Sequence, residues 1–89
     1  METIHIIVSG RVQGVYFRAF TKKQANKLNL VGFVKNKDNG DVEIIARADS
    51  DNLQKFISWC HKGPLMAKVK QVIVNKHQSI ENFTQFEVR

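Results

Sequence analysis

Val31-Gly32-Phe33-Val34-Lys35-Asn36-Lys37-Asp38-Asn39-Gly40-Asp41-Val42-Glu43-Ile44-Ile45-Ala46-Arg47 is the stretch that decides the architecture. Two runs with a two-residue period flank Asn39-Gly40: Val31, Phe33 and Lys35 oppose Gly32, Val34 and Asn36, and Val42, Ile44 and Ala46 oppose Glu43, Ile45 and Arg47. Strict alternation marks strands with one buried face. Asn-Gly between two such runs is a strong hairpin signal, because both central residues of a type I′ turn need positive φ. An antiparallel pair is therefore expected at the centre of the chain.

The pattern changes period on both sides of this hairpin. Upstream, Phe17, Phe20, Ala25, Leu28 and Val31 recur at helical spacing, with Lys22, Lys23, Asn26 and Asn29 turned away, and Asn29 tolerates the left-handed conformation that ends a helix. Downstream, Asp49 or Ser50 can cap a second helix whose Leu53, Phe56, Ile57 and Cys60 form a stripe, and Gly63-Pro64 stops it. Further out, Ile4, Ile6 and Val8 alternate with His5, Ile7 and Ser9 in a first strand, and Val69 to Val74 and Phe83 to Val88 read as closing strands. Strand, helix, hairpin, helix and strand, with a short extra strand, is the split βαβ or ferredoxin-like α+β pattern (βαββαβ). It implies an antiparallel sheet with both helices on one face. Many unrelated activities share this architecture, so it assigns no function.

Eighty-nine residues suit one domain, 1–89, with 43% hydrophobic and 25% charged residues, the balance of a globular chain. No membrane span is expected, since the longest aliphatic run is Ile6-Ile7-Val8, and Met1-Glu2-Thr3 shows no signal peptide. A lone cysteine, Cys60, makes no internal disulfide and suits a reducing, cytoplasmic setting. The net charge of +6 favours an anionic partner without saying which.

The chemistry-bearing segment is Gly10-Arg11-Val12-Gln13-Gly14-Val15-Tyr16-Phe17-Arg18, between the first strand and the first helix. A glycine-bearing loop entering a helix leaves N–H groups free beside the positive end of the helix dipole, which makes an anion site. Arg18, in the first turn, can close it with a guanidinium fork suited to phosphate oxygens. No Gly-Lys-Ser/Thr follows, so this is not a P-loop. Cys60 is read as core rather than as a nucleophile, because a cysteine phosphatase needs an arginine where Met66 stands. His5, His61 and His77 lack metal-like spacing, so neither a metal nor a cofactor is expected.

The segment resembles the acylphosphatase signature, G-x-V-Q-G-V-x-F-R. Gly32-Phe33-Val34-Lys35-Asn36 with Asn39-Gly40-Asp41-Val42-Glu43 is similar to the second motif of that family, and Gly63-Pro64-Leu65-Met66-Ala67-Lys68-Val69 to a third, G-P-x-x-A-x-V. Phe33 stands where the family commonly has Trp, and Asn39 where it commonly has Asp; the expectation is an aromatic core residue and a left-handed turn residue. The resemblance implies hydrolysis of an acyl phosphate to a carboxylate and inorganic phosphate, without a metal. It implies that Arg18 and the loop of Val12, Gln13, Gly14, Val15, Tyr16 and Phe17 hold the phosphoryl group, while Asn36 positions the water. Phosphate is then product and inhibitor, and the chain is expected to work as a monomer. The competing reading is a basic nucleic-acid module with sheet aromatics stacking on bases, but Gly32-Phe33-Val34 lacks the terminal aromatic of an RNA-recognition signature.

Overall fold

The computed structural model describes residues 1–78 and 81–89. The elements run β1 (Glu2–Arg11), α1 (Phe17–Lys27), β2 (Val31–Asn36), β3 (Val42–Ala48), α2 (Ser50–Lys62), β4 (Lys68–Lys76) and β5 (Phe86–Val88). They form one sheet in the order β4-β1-β3-β2-β5. The first three neighbouring pairs are antiparallel, and β5 joins β2 in parallel through Gly32 to Val34. The sheet is thus mixed, and the last strand is shorter than the alternation from Phe83 suggests.

The period-2 pattern becomes the core directly. Ile4, Ile6 and Val8 of β1, Val34 of β2, and Val42, Ile44, Ala46 and Ala48 of β3 face the helices and are buried. From α2 come Leu53, Phe56 and Cys60, at the predicted spacing, with Trp59 packed against Phe17 and Phe56 at ring-centroid distances of 5.6 and 6.3 Å. Gly63 ends α2 with positive φ, and its N–H donates to the Trp59 carbonyl. Packing of this apolar face, more than helix propensity, holds both helices in place.

Three local expectations need correction. Phe20 is 46% exposed, and the buried stripe of α1 is Phe17, Thr21 and Ala25. A polar residue was not expected in that stripe, but the Thr21 hydroxyl donates to the Phe17 carbonyl at 2.7 Å, so burial leaves it satisfied. Phe33 is not a core residue: it lies half-buried on the open sheet face, 6.1 Å from the Phe83 ring and 4.3 Å beneath the Arg89 guanidinium. The central turn is not type I′, because Gly40 has positive φ (96°) and Asn39 does not. Lys37 N–H donates to Asp41 and Gly40 N–H to Lys37, giving a longer loop in which the Asn39 side chain caps the Asp41 N–H. Asn29 does take the left-handed conformation, with φ 59°.

Candidate phosphate-binding site

β1 ends at Arg11 and α1 begins at Phe17, and the short loop between them lies beside Asn36 at the end of β2. Val12 and Val15 are buried and anchor this loop in the core. Gly14 has φ 74°, and a Cβ built there would meet nothing within 4 Å, so conformation and not crowding calls for glycine. Gln13 ties the loop sideways: its Nε2 donates to the carbonyls of Lys37 at 2.7 Å and Asp41 at 2.8 Å. Those two carbonyls belong to the turn immediately after Asn36. Asn36 shares its strand face with buried Gly32 and Val34, so it points to the helix side and not to the face that carries Phe33.

The result is a cavity of about 360 Å³ lined by Val12, Gly14, Tyr16, Phe17, Arg18, Ala19 and Asn36. Arg18 and Asn36, eighteen positions apart in sequence, border the same space. The N-terminus of α1 opens here without a side-chain cap and without an acidic residue in its first turn. Its free N–H groups and dipole therefore remain available to an anion. Arg18 is held from the far side, where its Nη1 donates to the Arg89 carbonyl at 3.0 Å. Among the described residues no carboxylate, imidazole, thiol or ammonium lines this cavity.

Four of the six loop residues expected at the site, Val12, Gly14, Tyr16 and Phe17, line the cavity; Val15 is buried in the core, and Gln13 turns its side chain away to the hairpin loop. Ala19 borders the cavity and was missed by sequence reasoning; a methyl group carries no chemical signal, although its position one residue after Arg18 in the first turn places it there. Cys60 is fully buried, and burial pushes its thiol up to about 12, which leaves it unreactive as a nucleophile. Among the described residues there is no group of three or more His, Cys, Asp or Glu side chains able to hold a metal ion. No helix among them is long and apolar enough to cross a membrane.

A family model described as acylphosphatase matches residues 4–88. The chain belongs to the acylphosphatase family. It is 38% identical to the acylphosphatase of Methylococcus capsulatus over 88 residues, covering 99% of this chain and 96% of that one. The crystal structure of acylphosphatase from Bacillus subtilis superposes with a TM-score of 0.95 at 40% identity, over 100% of this chain and 99% of that chain. An acylphosphatase from Coxiella burnetii gives a TM-score of 0.92, also at 40% identity, over 99% and 92%. These acylphosphatases thus share the fold and the extent of this chain, and the nucleic-acid reading is not favoured.

Proposed function

We propose that the chain hydrolyses acyl phosphates to a carboxylate and inorganic phosphate at this cavity, and that 1–89 act as one domain and as a monomer in the cytoplasm. The observation that carries the reading is the meeting of Arg18, Asn36 and the uncapped start of α1 around one space. The phosphoryl oxygens sit among the N–H groups of the Val12–Phe17 loop, with the Arg18 fork against two of them. Asn36 holds a water, its amide both accepting from and donating to it. That water attacks phosphorus while the bond from phosphorus to the acyl oxygen breaks, and the carboxylate departs with the bonding electron pair. The proton of the water passes to a phosphoryl oxygen or to the departing carboxylate.

The chemical economy of the cavity supports this substrate class. Phosphoryl transfer depends on positioning and charge stabilisation, and a carboxylate leaves without protonation. A phosphate monoester, whose alkoxide needs an acid, finds no carboxyl, imidazole or thiol in this wall among the described residues. Inorganic phosphate, as product, competes for the same cradle.

The roles of Arg18 and Asn36 separate in one experiment. Arg18→Ala weakens phosphate binding in calorimetric titration and also slows turnover, and Arg18→Lys restores little, because an ammonium lacks the fork. Asn36→Ala keeps phosphate affinity and loses kcat by about 10²-fold. Wild-type kcat in Asn36→Ala, or wild-type phosphate affinity in Arg18→Ala, overturns the assignment.

A further inference from the structure

The cradle accounts for the phosphoryl half of the substrate and leaves the acyl half unassigned. Tyr16, at the start of α1, has φ 61° and ψ 21°, the left-handed conformation. A residue in this position ordinarily has extended backbone, and a bulky side chain rarely adopts the left-handed region, which glycine enters freely. Two positions earlier the loop does use glycine, with φ 74°. At Tyr16 an aromatic ring is kept in spite of the conformation.

Nothing among the described residues uses that ring. Tyr16 is 77% exposed; its carbonyl accepts the Phe20 N–H at 3.1 Å, but its side chain makes no hydrogen bond, ion pair or ring contact with any described residue. It nevertheless lines the cavity shared by Arg18 and Asn36. Val12 and Phe17, the other large apolar residues there, are buried, and Ala19 is small, so Tyr16 is the one exposed aromatic wall among the described residues. With the phosphoryl group against the loop N–H groups and Arg18, an acyl group leaves the cavity outward, past this rim.

We infer that Tyr16 sets acyl-group specificity, its ring forming the platform on which a planar aryl acyl group stacks, so that aryl acyl phosphates are favoured over short alkyl ones. This rests on the acyl-phosphate reading above. Stacked or edge-on aromatic pairs lower the free energy beyond simple burial, while a methyl group offers the ring little.

The test compares kcat/KM for benzoyl phosphate and acetyl phosphate in the wild type, Tyr16→Ala and Tyr16→Phe. Both substrates share the cradle, so damage to the loop lowers both and cancels in their ratio. Tyr16→Ala lowers the benzoyl-to-acetyl ratio about three- to tenfold, chiefly through KM for benzoyl phosphate, and Tyr16→Phe preserves it. The non-hydrolysable benzoylphosphonate loses affinity for Tyr16→Ala by a similar factor relative to acetylphosphonate. A ratio within twofold of wild type in Tyr16→Ala, with both acyl phosphates still hydrolysed, overturns the platform and leaves the acyl-phosphate reading standing. A folded wild type that releases phosphate from neither compound overturns both.

Discussion

Replacing Gln13 with alanine removes two hydrogen bonds that join the loop before α1 to the turn after Asn36. Each partly buried bond contributes about 1 kcal/mol net. The two carbonyls are not orphaned by the change: Lys37 still accepts from Gly40 N–H at 3.2 Å, and Asp41 from Lys37 N–H at 2.8 Å. The full desolvation penalty of an unpaired acceptor therefore does not apply, and the expected cost is about 2 kcal/mol rather than about 4. For a chain of this length that lowers Tm by roughly 10 °C. Because the same bonds set the loop against Asn36, turnover of an acyl phosphate also falls, by at least about tenfold at a temperature where the variant remains folded. Urea unfolding with an unchanged m-value, paired with steady-state kinetics, reads both effects. Gln13→Glu is expected to be worse than alanine, since it aims a carboxylate at two carbonyl oxygens. If Gln13→Ala costs less than about 0.5 kcal/mol and keeps kcat, the tether does not organise the site.

Gly32→Ala should abolish or severely impair folding, because a Cβ at this position, with φ 141°, lies 1.9 Å from the Ile45 carbonyl oxygen; a variant of near wild-type stability would contradict the register between β2 and β3. Cys60 should resist thiol reagents in the native state and react only on unfolding, as its buried thiol is pushed up to about 12; rapid native-state labelling would contradict its burial. The Glu43 carboxyl is held below its ordinary value, first by the hydrogen bond from His5 at 2.8 Å and further by the charges of His5 and Lys35. A lowered folded-state value means stability that is fully present above the unfolded carboxyl range and is lost as pH falls from that range through the lower folded-state value, so Glu43→Gln should flatten the acid limb of a stability-versus-pH curve; an unchanged limb would refute the coupling.

The two-residue period of β1, β2 and β3 made the sheet legible, because one buried face leaves no freedom of register. The α2 stripe was equally clear, since all its positions are apolar. In α1 the signal misled at Phe20 and Thr21: a hydroxyl bonded back to its own helix is as acceptable in the core as an apolar side chain, and hydropathy cannot register that. The Asn39-Gly40 turn was placed correctly and typed incorrectly, because the bonds from Gln13, twenty-four residues away from Lys37, act on that loop and no local pattern contains them. For Phe33 the family resemblance implies a core aromatic, whereas strand parity alone places it with Val31 and Lys35 on the open face. Arg18 and Asn36 were legible as candidates through their motifs, and the alternation already turns Asn36 away from the face of Phe33; the Gln13 tether that sets the loop against the turn after Asn36 appears only in three dimensions.

The central claim is that a cradle of backbone N–H groups and Arg18, with water held by Asn36, suffices for the reaction. Release of phosphate from benzoyl phosphate in excess chelator, by purified wild type beside Asn36→Ala, tests it most directly. The account predicts full wild-type turnover with chelator present and a drop of about 10²-fold in kcat for Asn36→Ala at equal phosphate affinity. Wild-type activity that vanishes in chelator and returns with a divalent ion, or an Asn36→Ala variant that turns over normally, would contradict it.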